Sequence, residues 1–294
     1  GLSGTGPKAG GPDYLHRFVN EQGAAIAHGA FKALKITDAC ADKAAIDQAA
    51  RAGGGVWNEP VSHRCDVIED VAEALESYGF RDLPEAEAMR AAAYLRAFAA
   101  HVDATFAEPV SLPGPTGERN ELSRHARGLV ACLASGGEGS VAALIAEVGA
   151  ALATGNRALI FHPEPGVAEQ VAEVFTNAGV AGAALTVIDP GSTASVHDLL
   201  AIPALEAVCV AAPASLAIAI NRQFADADAA IRPVIVFRED PATSIGAGQP
   251  LAGSPHYLHR FVHERSLSID TTASGGNASL LSIGDGTSSL PGDI

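Results

Sequence analysis

The chain has 294 residues, 48 % of them hydrophobic and 18 % charged, which allows a sizeable core and excludes disorder over most of its length. Nineteen Lys and Arg stand against 34 Asp and Glu, a formal charge of −15. That balance disfavours a nucleic-acid surface or an anionic membrane as partner, because both are held through positive charge. No apolar run is long enough to span a bilayer, and no signal peptide is visible. Cys40, Cys65, Cys132 and Cys209 are scattered and form no CxxC pair; they read as reduced, mostly buried thiols of a cytoplasmic protein. The opening GLSGTGPKAGGP, without an initiator Met, reads as the interior of a longer polypeptide.

Residues 1–22 are a glycine-rich loop leading into Tyr14-Leu15-His16-Arg17-Phe18-Val19. Residues 23–110 are rich in Ala and Glu with helical periodicity. Over 65–75 the spacing sets Val67, Val71 and Leu75 on one face, with Gly79 as a stop. Pro84 then opens a longer helix towards Phe106, with Met89, Leu95 and Phe98 as its apolar positions.

From residue 126 to 240 short apolar runs alternate with amphipathic helices. The runs are 128–133, 158–161, 185–188, 207–210 and 233–237; the helices are 141–153, 167–178, 196–200 and 215–225. This alternation predicts a parallel, doubly wound α/β sheet. At the end, Leu267, Ile269 and Thr271 alternate with polar residues as in a strand, and Gly275-Gly276-Asn277 forces a turn.

An internal repeat joins the two ends. Residues 9–21 read AGGPDYLHRFVNE and residues 252–264 read AGSPHYLHRFVHE, matching at 10 of 13 positions. One such match is not a solenoid period; it predicts two related domains in tandem, each ending in the same arm.

Candidate chemistry is sparse. Gly1–Lys8 lacks the Walker spacing, since Pro7 precedes Lys8 and no Ser or Thr follows it. Gly137-Glu138-Gly139-Ser140-Val141-Ala142 fits GxGxxA between a strand and a helix, so Gly137 and Gly139 are the alternative cofactor-binding residues. Glu138, however, sets a negative charge where a pyrophosphate would lie. His256, His259 and His263 fall in one stretch, but the other copy keeps only His16, so a surface arm without a metal is expected. No GxSxG elbow is present, and Cys132 and Cys209 read as core residues.

Three motifs together carry a family resemblance. GLSGTGPKAGGPDYLHRF at the start resembles the end of the catalytic glutamate-semialdehyde dehydrogenase domain of the proline utilization A (PutA) family. LPGPTGERN at 112–120 resembles a motif of its longer members, and ERSLSIDTTASGGNASLL at 264–281 looks like their C-terminal motif. PutA proteins join a flavin-dependent proline dehydrogenase to an NAD-dependent aldehyde dehydrogenase through an internal tunnel. The resemblance implies a Rossmann-like sheet of degenerate aldehyde dehydrogenase type, with a helical N-terminal linker and a C-terminal β-flap arm. It divides the chain into 1–22 (end of the catalytic domain), 23–124 (linker), 125–251 (Rossmann-like domain) and 252–294 (arm and tail).

Against the family pattern, Ala134-Ser-Gly-Gly-Glu-Gly-Ser140 replaces the segment with the oxyanion-stabilising Asn, while Thr154-Gly155-Asn156 survives. His162-Pro163 replaces Lys-Pro, Ala212-Pro-Ala-Ser215 replaces a Gly-Ser-Thr turn, and no Cys follows Cys209. The expectation is a non-catalytic region that binds no cofactor or metal itself, within a parent polypeptide that uses NAD and FAD. Its partners are then the upstream catalytic domains and possible further copies of the same protein. The parent is expected in the cytoplasm, with a peripheral site at the inner membrane as an option. Tyr257, Leu258, Arg260, Phe261, Thr271, Thr272, Gly275, Gly276 and Asn277 are the expected sealing or interface residues. The alternatives are an active NAD-binding oxidoreductase domain and a protein-interaction module using the acidic helices of residues 40–107.

Overall fold

The computed structural model describes residues 8, 10–18, 56–78, 80, 83–188, 202–226, 231–238 and 252–271. The chain divides into two units: Gly1–Glu108 with Arg124–Glu264, and Pro109–Ser123 with Arg265–Ile294.

In the first unit five strands form one parallel sheet of order β5-β4-β3-β6-β7. They are β3 (Leu129–Ala134), β4 (Arg157–Phe161), β5 (Leu185–Ile188), β6 (Leu205–Ala211) and β7 (Val234–Val236). Each lies on a run read from the sequence. The doubly wound α/β sheet expected there is therefore present, and its residues show why. Along β3, Val130, Cys132 and Ala134 enter one apolar cluster, while Leu129, Ala131 and Leu133 enter another. Both faces of the sheet are covered, so a strand buried on two sides reads as a continuous apolar run.

Helix α3 (Ser140–Ala153) follows β3, α4 (Val167–Asn177) follows β4, and α5 (Ala214–Asp226) follows β6. The expected helix at 196–200 lies outside the described residues. The first apolar cluster also takes in α1 (Val61–Tyr78) and α2 (Glu85–Phe106). Val67, Val71 and Leu75 are buried as their spacing predicts. On α2, Leu95 and Phe98 are buried, but Met89 is 47 % exposed, so the apolar stripe passes beside it. Pro84 is the cap of α2, with extended ψ of 140°, and the helix begins one residue later. Small residues let α3 approach α2 closely: a Cβ at Gly149 would collide with Leu95 Cδ2. The expected stop at Gly79 lies outside the described residues.

After the sheet the chain forms α6 (Pro255–Leu258), capped by Ser254, whose side chain accepts from the His256 amide. A 3-10 turn over His259–Phe261 leads into β8 (Val262–Asp270).

The second unit contains β1 (Val110–Leu112), the first residues of β2 (Glu118–Ala126) and the last residues of β8, in the order β1-β2-β8. β1 and β2 are antiparallel, with Val110 opposite Leu122 and Leu112 opposite Asn120. The strand expected over 267–271 is the end of β8. The strands β1 and β2 carry no sequence signal of that kind, because ERNELSRHA is charged on both faces and only Leu122 is buried. The turn of LPGPTGERN joins them: Gly117 has φ of 93°, and a Cβ at Gly114 would collide with Asn120 Nδ2.

Candidate functional site

In a parallel sheet wound in both directions, ligands bind outside the carboxyl ends of the strands where the winding reverses. Here that point lies between β3 and β6. The expected GxGxxA turn is at this place: Gly137 and Gly139 both take left-handed φ, 99° and 78°, and Gly139 caps α3. A helix start of this kind offers free amides and a positive dipole end to an anion.

The amide of Gly139 is already engaged. It donates to Glu87 Oε1 at 3.0 Å, from the first turn of α2. A protein carboxylate therefore already takes up this helix-start amide. Glu138, the acid singled out from the sequence, is exposed, and Glu87 was not foreseen. Its place 52 residues before Gly139 gives no local signal.

The groups around it also satisfy one another. Ser140 Oγ donates to Gly137 O at 2.7 Å, which leaves its oxygen to accept from His162 Nε2 at 3.1 Å. His162 Nδ1 in turn accepts from the Glu164 amide at 3.1 Å. Those two contacts define a neutral imidazole with its proton on Nε2, and burial lowers the His162 pKa in keeping with that. So His162 is a fully buried bridge from the end of β4 to the start of α3. Across the switch point the Ser135 amide donates to Ala211 O at 3.0 Å, tying the end of β3 to that of β6.

Thr154-Gly155-Asn156 has a structural task. Asn156 is fully buried, and its Oδ1 accepts from the Arg127 and Gly128 amides at 2.7 and 3.0 Å. Its Nδ2 donates to Thr154 Oγ1 at 2.8 Å and to Phe261 O at 2.9 Å. One side chain thus fixes the entry to β3 and the end of the 3-10 turn. At Gly155 the backbone has φ of 83°, and a Cβ would collide with Arg64 Nη1.

The expected interface residues divide by burial. Tyr257, Leu258 and Phe261 are fully buried, and of the histidines expected on a surface arm His259 is buried too. The Tyr257 ring stacks on Phe98 at 5.8 Å and meets Phe237 and Phe261 edge-on, so aromatic packing draws the segment inward. Its hydroxyl lies 3.0 Å from Cys209 Sγ. Arg260 is partly exposed, and its carbonyl accepts from Arg127 Nε at 2.7 Å. In the second unit the Thr271 amide donates to Gly117 O at 2.6 Å. Thr272, Gly275, Gly276 and Asn277 lie outside the described residues.

Beneath Tyr257 is a further buried group that sequence reading missed. Glu147 on α3 is wholly inaccessible, and neither carboxylate oxygen has a hydrogen-bond partner of normal geometry. Burial pushes its carboxyl well above the ordinary range, and the Cys209 thiol and Leu133 backbone offset this only in part. Cys132 and Cys209 face each other in register on β3 and β6 as free buried thiols; burial raises both, so neither is a ready nucleophile.

No helix among the described residues is long and apolar enough to cross a membrane. No protein-family model matches the chain. It is 29 % identical over 284 residues to bifunctional protein PutA of Rhizobium meliloti, covering 97 % of this chain and 18 % of that protein. A crystal structure of bifunctional PutA superposes with a TM-score of 0.57 at 29 % identity, over 69 % of this chain and 22 % of the other. A NAD-dependent benzaldehyde dehydrogenase from Corynebacterium glutamicum shares the fold, with a TM-score of 0.50 at 18 % identity over 66 % of this chain and 44 % of the other. The chain spans less than a fifth of the length of the curated relatives it matches; in sequence it is similar to part of bifunctional PutA, and its fold is aldehyde dehydrogenase-like.

Proposed function

We propose that this chain is a non-catalytic accessory region of a PutA polypeptide that converts proline to glutamate. In this reading the FAD-dependent proline dehydrogenase and the NAD-dependent glutamate-semialdehyde dehydrogenase sites lie elsewhere in the parent. Residues 1–22 complete the catalytic domain, 23–124 link it to the Rossmann-like domain of 125–251, and 252–294 form the flap and tail. The parent acts in the cytoplasm, and further copies of it are candidate partners.

The observation that carries the proposal is the Glu87 carboxylate on the Gly139 amide. A dinucleotide would have to displace a carboxylate from a helix start and open the Ser140–His162 bridge, with no Lys to hold its ribose. The chain also has no Cys after Cys209 to act as nucleophile.

Function then resides in the arm. Tyr257, Leu258 and Phe261 anchor it from inside, and Arg260 and Thr271 lie at its margin. Among the described residues β8 is an edge strand of its sheet, with Leu267 45 % exposed, and an edge strand pairs with a sheet or cleft of another domain. Such a contact, continued by Thr272, Gly275, Gly276 and Asn277, would seal a tunnel against loss of a small aldehyde.

Deleting residues 267–294 from the full-length parent tests this. Proline oxidation should be spared, while aldehyde oxidation falls and NADH appears after a longer lag. Equal lags and equal dehydrogenase rates in truncated and intact proteins would exclude sealing.

A further inference from the structure

We propose that Asp13, His259 and Glu264 form a binding site for one divalent transition-metal ion, which ties the first copy of the repeated segment to the second. Asp13 belongs to the first copy, and His259 and Glu264 to the second. Each offers one ligand atom, and the three atoms lie within 4.8 Å of one another. Ligands at ordinary metal–ligand distances are separated by about 3–4 Å, so small side-chain rotations close the set.

Two of these atoms lack a partner where polar atoms seldom do. His259 is only 8 % exposed, and its Nδ1 points at Asp13 Oδ2 from 3.2 Å without hydrogen-bond geometry. Glu264 Oε1 is buried and likewise unpartnered. Two ionised carboxylate oxygens cannot satisfy one another, whereas a cation placed between them satisfies all three groups at once.

The surroundings resemble an outer coordination shell, which holds ligands in place through their other atoms. Arg124 Nη2 donates to Asp13 Oδ2 at 2.7 Å, while its Nη1 is fixed on Thr105 O at 2.8 Å. The other ring nitrogen of His259, Nε2, lies 3.4 Å from His101 Nε2. The second oxygen of Glu264 accepts from the Lys8 amide. One imidazole with two carboxylates suits Zn(II), Mn(II) or Fe(II) better than the all-oxygen preference of Ca(II) or Mg(II). The Arg124 charge beside Asp13 tempers the attraction, so micromolar affinity is expected. The site does not depend on the accessory role proposed above. Sequence reading missed it because Asp13 and Glu264 stand at opposite ends of the chain.

The test is titration of the chelator-stripped chain with Mn(II), followed by calorimetry and by loss of the free-ion signal in electron paramagnetic resonance. Binding of one Mn(II) per chain at roughly 1–100 μM, displaced by Zn(II), is expected. Glu264→Gln and Asp13→Asn should each weaken it at least tenfold, with nitrogen coupling from His259 visible in the spin-echo spectrum. Because Asp13→Asn also removes the Arg124 ion pair, Glu264→Gln is the decisive variant and Glu73→Gln the surface control. No binding up to 1 mM, or binding unchanged by Glu264→Gln, would overturn the proposal and leave an Asp–Arg–His ion cluster.

Discussion

Tyr-Leu-His-Arg-Phe occurs twice in this chain in opposite surroundings. In the second copy Leu258 and Phe261 are fully buried; in the first, Leu15 and Phe18 are 72 % and 71 % exposed. The first copy packs Tyr14 edge-on against Phe18 at 5.4 Å, while the second meets Phe98, Phe237, Cys209 and Asn156. Identical residues therefore contribute to stability only where other elements supply the other half of the contact. The sequence of an arm states what it can bury, and the fold around it decides whether it does.

The largest expected effect sharpens that contrast. Phe261→Ala should destabilise the chain by about 3–5 kcal/mol, the range for an aromatic side chain removed from a closed core. Phe18→Ala should change the unfolding free energy by less than about 0.5 kcal/mol in denaturant titration. Equal losses at the two positions would show that the first copy is buried in solution.

Next in size is the polar clamp on the second copy. Asn156→Ala strands the Arg127 and Gly128 amides and the Phe261 carbonyl, and should cost about 2–4 kcal/mol in equilibrium unfolding. Hydrogen exchange should quicken at the start of β8 more than in β4 or β6. Uniform loss of protection would mean that Asn156 stabilises the whole sheet instead of the arm.

A smaller effect of opposite sign comes from Glu147. Burial raises its folded-state carboxyl above its ordinary value of 4.5, so folding takes up a proton once the unfolded chain has ionised. The resulting instability is absent well below pH 4.5 and grows as pH rises towards the folded-state value. Glu147→Leu should therefore stabilise the chain at pH 7 by about 1–3 kcal/mol, with little gain near pH 4. A loss at pH 7 in thermal unfolding would show that Glu147 has a partner that matters.

The sheet was legible in the sequence because strands buried on both faces leave apolar runs, and the alternation with helices then orders them. β1 and β2 were not legible, since a charged strand paired at a small sheet's margin carries neither an apolar run nor an alternation. The turn at Gly137–Gly139 could be found from its spacing. Its occupation by Glu87, the inward bridge of His162 and the unpartnered oxygens of Glu147 depend on contacts across the fold. Thr154-Gly155-Asn156 was visible as a surviving motif, but its role as the clamp on Phe261 was hidden, because a motif names residues and not partners 105 positions away. The inward packing of Tyr257 was not legible, because its segment is short and flanked by His and Arg. The aromatic face of α2 and Phe237 that receives it could not be assigned to it in advance.

The most direct test of the accessory reading is calorimetric titration of NAD into the intact chain and into Glu87→Gln. The intact chain should give no binding tighter than about 1 mM, because the Gly139 amide is held by the Glu87 carboxylate. Glu87→Gln removes the opposing charge and should admit phosphate-bearing ligands only weakly, since His162 and Ser140 remain bridged. A dissociation constant below about 100 μM for the intact chain, near −5.5 kcal/mol, would contradict the account and restore a cofactor-binding domain.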